Sequence, residues 1–207
     1  GLSLRGYFED CDDDEIRHVL DVNLFGAMQV TRAVLPAMRR ARRGRLIFVS
    51  SIGGRIASMA RSAYCASKFA LEGFAESLYQ EVMPFPIQVS IVEPAIIRTE
   101  RWTLHRGLAR PAAAAGSPYR AWFEQQELLA DALVSSSPVD VAAQIHALLT
   151  TPRPALRSVV GRRANLVVLL RKLLPGELFE RLYFGAAMKR VTQAAPKTVT
   201  QKGSYST

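Results

Sequence analysis

The chain has 207 residues, 49% of them apolar, and a formal net charge of +9 carried mainly by arginine. That length and apolar content fit one globular domain, and no run of about 18 apolar residues marks a membrane-spanning helix. Cys11 and Cys65 lie far apart, which argues against a disulfide framework and for a reducing, cytoplasmic compartment. No zinc-ligand spacing, basic heptad or aromatic-and-basic motif accompanies the positive charge, so no metal and no nucleic-acid partner are expected and the basicity reads as a solvated surface.

Residues 12–40 are expected to form one long helix. Ile16, Val19, Leu20, Leu24, Ala27, Val30, Val34 and Leu35 recur at helical spacing. Asp12 to Glu15 crowd its start, and Arg39, Arg40, Arg42 and Arg43 follow its end, as the helix dipole favours. Arg45–Ser50 reads as a buried strand, Ala63–Val82 as a helix stopped by Pro84 and Pro86, and Gln88–Val92 as a second buried strand ended by Pro94. Strand, helix, strand makes a right-handed parallel crossover. Ser51 and Pro94 then fall at carboxyl ends of parallel strands, where open α/β sheets bind ligands.

Residues 99–136 read as irregular, with a linker at 111–116 and an amphipathic helix beginning at Tyr119. Trp102, Trp122 and Phe123 either line an apolar pocket or simply pack. Ser137 is expected to cap a helix to about Leu149, with Pro138 and Asp140 in its first turn. A last strand is expected at Ser158–Val160. Residues 163–192 form a basic, apolar helical extension. Within it, 165–188 either lies on a membrane surface or packs on its own domain or a partner subunit. Residues 193–207 read as a disordered tail.

The densest chemistry lies in Tyr64-Cys65-Ala66-Ser67-Lys68, with Ser51 thirteen residues before Tyr64. Positions i and i+4 share a helix face, so a phenol and an ammonium are aimed at one point. A nearby cation favours the phenolate, and a lowered pKa turns a tyrosine into a usable general acid or base. A serine hydroxyl at a strand end can hold a substrate oxygen. These parts suit proton transfer to or from an alcohol or carbonyl oxygen.

Four segments together resemble the short-chain dehydrogenase/reductase family, and especially its hydroxysteroid and retinol dehydrogenase branch. Residues 64–74 are similar to the family's active-site helix. Residues 46–54 are similar to the strand and loop bearing its serine. Asp21-Val22-Asn23-Leu24-Phe25-Gly26 resembles the segment with its asparagine, and Val92 to Thr99 resembles the stretch closing over the nicotinamide. The resemblance implies an α/β fold over residues 1–162: a partial, Rossmann-like, doubly wound parallel sheet, the C-terminal half of the family fold. It implies Asn23, Ser51, Tyr64 and Lys68 as catalytic residues, with Ser51 and Tyr64 on the substrate. Gly1, Asn23, Tyr64, Lys68, Pro94, Ile97 and Thr99 become contacts of NAD or NADP.

The Gly-rich turn that receives a dinucleotide's pyrophosphate does not occur in the chain, and Gly1 resembles the last residue of the family's Asn-Asn-Ala-Gly motif. The chain is therefore expected to be the back half of a fold. The resemblance implies hydride transfer between NAD(P) and a hydrophobic alcohol or ketone. A truncated, non-catalytic scaffold and a peripheral membrane protein are the alternatives. A homodimer is expected through the 12–40 helix and the apolar residues Phe69, Leu71, Phe74, Leu78 and Tyr79.

Overall fold

A computed structural model of the chain describes residues 1–97, 107–110, 116–132 and 136–194. Thr99, Trp102 and the tail from 195 onward lie outside the described residues. The expected long helix is a rod in three parts: α1 (Asp13–Leu20), a π-helical turn (Asp21–Phe25) and α2 (Gly26–Ala41). Asp12 and Glu15 form a reciprocal capping box at its start. Arg42 ends it with a left-handed φ of 48°. The π turn inserts one wide turn into the helix. Asn23 and Leu24 lie within it, both buried, and single π turns of this kind cluster at functional sites.

Strands β1 (Gly44–Val49), β2 (Ile87–Pro94) and β3 (Arg157–Val160) form a parallel sheet in the order β1-β2-β3. Phe48 pairs with Ile91, and Val92 with Ser158. Helix α3 (Ser62–Glu81) connects β1 to β2, the crossover expected from the sequence. Three more helices of the α/β frame follow: α4 (Arg120–Ala132), α5 (Pro138–Thr150) and α6 (Arg162–Leu173). Ser137 caps α5, with Pro138 in the first turn and a capping box to Asp140. The 165–188 stretch is not one helix. Leu174 and Pro175 break it, and α7 (Gly176–Ala194) begins anew, because proline cannot donate to the preceding turn.

Alternation along β2 divides the core. Val89 and Ile91 join Phe48, Leu71, Ala75, Leu78 and Val82 beneath α3. Val92 faces the other way, with Leu148 of α5 and Val160. Helices thus cover both faces of the sheet, and β2 is buried along nearly its whole length.

This packing changes the expected surface of α3. Leu71 and Leu78 belong to the subunit's own core, and the Phe74 ring meets Phe48 edge-on at 5.8 Å. Of the five residues expected to supply surplus apolar surface, Phe69 and Tyr79 are exposed. Leu78→Ala should therefore lower the unfolding free energy by about 3 kcal/mol. Phe69→Ala should change it by no more than about 0.5 kcal/mol. Urea denaturation of both variants checks this, and equal losses would mean that α3 does not sit on the sheet by this face.

Candidate active site

Beyond β1 the chain turns sharply against α3. Ser51 caps a short 3-10 turn, Ile52–Gly54, by accepting a hydrogen bond from the Gly53 amide at 3.1 Å. At Gly54 a Cβ would stand 2.7 Å from Ser50 Oγ and 3.0 Å from the Lys68 carbonyl oxygen. Glycine there lets the Ser51 turn lie directly on the helix that carries Tyr64. Ala60, at a left-handed φ of 54°, swings the chain into that helix, a conformation uncommon for a residue with a side chain.

Ser51, Tyr64 and Lys68 line one cavity of about 1020 Å³, together with Gly1, Pro94 and Ile97. That volume lies at the upper end for small-molecule sites. Lys68 Nζ donates to the Val49 carbonyl at 3.0 Å and lies 6.0 Å from the Tyr64 ring centroid. Burial pushes the ammonium from an ordinary 10.5 down to about 8, with Glu72 opposing. Burial likewise holds the Tyr64 phenol above its ordinary value. A hydrogen bond with Ser51 pulls it back, as do the guanidiniums of Arg61 and Arg5. The phenol therefore stands above its ordinary value, against the lowering expected from Lys68, because burial outweighs Ser51 and the arginines. The lysine's own bond is to the strand end, and six ångströms to the ring leaves it a lesser influence.

Asn23 does something the sequence did not suggest. Its side-chain carbonyl accepts from the Leu2 amide at 2.6 Å. Its amide donates to the Leu2 carbonyl and to Ser67 Oγ, both at 2.9 Å. Both donor hydrogens are thereby used, and the residue clamps the first segment of the chain to α3. Gly1 sits against it: a Cβ would stand 2.6 Å from Asn23 Oδ1 and 3.4 Å from Lys68 Nζ. Ala95 follows Pro94 at the end of β2. Its amide donates to the Val160 carbonyl at 2.9 Å, and it is not among the positive-φ residues, so a methyl group is accommodated.

The remaining wall is less legible in sequence. Trp122 and Phe123 do not line the described cavity. Gln126, Leu129 and Ala130, later on α4, do. Gln126 donates to the Met59 carbonyl. Glu127 binds Arg5 at 2.5 Å and approaches Arg61 at 3.7 Å. Arg61 was within reach of a spacing argument, since it stands nearly one turn before Tyr64. The Arg5–Glu127 contact spans 122 residues and leaves no local signal. Tyr183, Phe184, Met188 and Arg190 of α7 complete the cavity. Among the described residues no cluster of His, Cys, Asp or Glu is able to hold a metal ion.

A parallel sheet covered by helices on both faces, with a cavity at the carboxyl ends of its strands, is the arrangement by which open α/β folds bind ligands. Residues 1–106 match the family model described as short chain dehydrogenase, and the chain belongs to that family. It is 32% identical over 185 residues to the uncharacterized oxidoreductase YusZ of Bacillus subtilis, covering 88% of this chain and 66% of that protein. It is 34% identical to retinol dehydrogenase 8 of Bos taurus, covering 87% and 60%. A solved short-chain dehydrogenase from Streptomyces avermitilis superposes with a TM-score of 0.70 at 31% identity, covering 90% of this chain and 67% of the other. The chain thus spans about two thirds or less of the length of the curated relatives named.

The depressed Lys68 value has a measurable sign. Below pH 8 the lysine is charged in both folded and unfolded chains, and its burial penalty is fully present. Between about 8 and 10.5 the unfolded chain binds more protons than the folded one, so stability rises with pH. Lys68→Met lacks this dependence. Across that window the wild type should therefore gain stability relative to the variant. Urea unfolding at a series of pH values tests this, and a constant difference would show that Lys68 is not a buried cation.

Proposed function

We propose that the protein carrying this chain interconverts an alcohol and a carbonyl on a hydrophobic substrate with NAD or NADP. The observation that carries the reading is the meeting of Ser51, Tyr64 and Lys68 in one largely apolar cavity. Relatives named retinol dehydrogenase 8 and 17-beta-hydroxysteroid dehydrogenase type 1 support it, since both names describe apolar alcohols. Cys11 and Cys65 are free thiols, in keeping with a reducing cytoplasmic setting.

The residues present fit the nicotinamide-ribose half of such a cofactor. Lys68 spends one donor on Val49 and keeps an ammonium at the cavity wall, Gly1 brings bare backbone beside it, and Pro94 and Ile97 border the same space. Thr99 belongs to the same proposal. No Gly-rich turn for the pyrophosphate occurs within residues 1–207. When bound, the nicotinamide supplies or accepts the hydride.

The protein's part is the proton. Ser51 holds the substrate oxygen. Tyr64 gives its phenolic proton to that oxygen in reduction and takes it back in oxidation. The positive charge of Arg61 and Arg5 favours the phenolate against burial. Lys68 adds charge and holds the ribose. Asn23 positions the first segment against α3 and so keeps Gly1 and Lys68 in place. Tyr64→Phe keeps the ring and removes the proton. In the full-length protein it should lower kcat by about a hundredfold or more while leaving dinucleotide binding intact. A variant that keeps most of its turnover would end this assignment.

The same protein is proposed to pair as a homodimer. Val30 of α2 and Phe69 and Tyr79 of α3 are exposed apolar residues, and pairing two copies about a two-fold axis covers each with its twin's patch. Light scattering of the full-length protein at micromolar concentration should give twice the chain mass, and Phe69→Glu should shift it toward monomer. A wild-type monomer under those conditions refutes the pairing.

A further inference from the structure

Helix α6 is apolar on two opposite sides. Its inner side buries Ala164 and Val168, the latter in a cluster with Ile56 and Phe179. On its outer side Leu166, Leu169, Leu170 and Leu173 recur at steps of three and four, and Leu166 and Leu173 are 58% and 71% exposed. Leu178 and Leu182 of α7 are exposed as well. A second apolar side left exposed, with leucines at helical spacing, marks a site of contact.

Charge identifies the occupant. Residues 162–194 contain seven basic residues, Arg163, Arg171, Lys172, Arg181, Lys189 and Arg190 among them, against Glu177 and Glu180. Among the described residues, none of those six named cations is in an ion pair. Exposed leucines on helices that also carry Arg and Lys outside any ion pair, whose long stems let the charge reach outward, match a surface with an apolar interior and anionic headgroups; Arg171 alone among them also lies over a ring, that of Phe179, at 5.6 Å. A second copy would set like charge against like. Helix α6 packs beside β3, at one edge of the sheet. No helix among the described residues is long and apolar enough to cross a membrane, so the contact is with a surface.

We propose that α6 and α7 dock on an anionic lipid surface, with the leucines at the acyl boundary and the arginines and lysines among the headgroups. The docked helices adjoin the cavity mouth. Tyr183, Phe184, Met188 and Arg190 are exposed residues that also line the cavity holding Ser51 and Tyr64. On the proposed function, an apolar alcohol or ketone dissolved in the bilayer then passes into the cavity along α7 without crossing water.

Flotation of the full-length protein with vesicles tests the docking separately from the chemistry. The protein should float with vesicles of phosphatidylcholine mixed with phosphatidylserine. It should float more weakly with phosphatidylcholine alone, and added salt should reduce the difference. Leu169→Asp with Leu173→Asp changes exposed side chains, so the melting temperature should hold while partitioning falls by about tenfold or more. Lys172→Glu with Arg181→Glu, both exposed, should abolish the preference for the anionic vesicles. Tyr64→Phe should float like the wild type, so an inactive enzyme that still floats leaves the docking standing. A wild type that stays unbound overturns the proposal. So does a double aspartate variant that floats undiminished, or one whose only change is dissociation of a dimer in light scattering.

Discussion

The site depends on the seating of α3 across β1 and β2. Ala75 is fully buried, and Leu71 and Leu78 flank it against Phe48, Val89 and Ile91. A small residue at the centre of that contact lets the helix approach the sheet closely, and close-packed interiors transmit position rigidly. Tyr64 and Lys68 ride on the first two turns of this helix, and Ser51 stands at the end of the strand beneath it. The bond from Lys68 Nζ to the Val49 carbonyl ties helix to strand at the cavity itself.

A second constraint is electrostatic. Glu93 near the end of β2 is fully buried, and Arg55 meets it at 3.1 Å. Arg157 of β3 reaches Glu72 of α3 at 3.0 Å and Glu93 at 3.6 Å. Burial, and then Glu72, holds the Glu93 carboxyl above its usual range, with the arginines opposing. Such a network contributes little net stability, because desolvation offsets the attraction. It does fix geometry, since the fully buried Glu93 carboxylate depends on both arginines for compensation. Glu72 lies one turn beyond Lys68, so the arrangement that joins α3 to β2 and β3 also sets the field around the lysine.

The cavity is built by segments far apart in the chain. The first residues, the turn after β1, the start of α3, α4 and α7 each supply part of its wall. Arg5, Arg61 and Glu127 bind three of these segments together beside Tyr64. The surface beyond α7 carries the leucines and cations of the lipid-docking proposal, so chemistry and surface meet at one helix.

Much of this was readable from residue order alone. Apolar runs and prolines located β1 and β2, the Ser137-Pro138-Asp140 cap located α5, and the Tyr64–Lys68 spacing located two residues of the cavity wall. Those features are local: a strand, a cap or a helix face is decided by neighbours a few residues away. The π turn at Asn23, the division of α3 between core and surface, the break at Pro175 in a stretch read as a single unit, and the α4 and α7 walls of the cavity were not readable with the same certainty. The clamp of Asn23 on Leu2 and Ser67 spans 21 and 44 residues, and the contact of Arg5 with Glu127 spans 122. No periodicity encodes such pairs. They exist because the packed sheet and helices bring distant side chains into one low-dielectric space, where a buried polar group must find whatever partner the tertiary structure supplies.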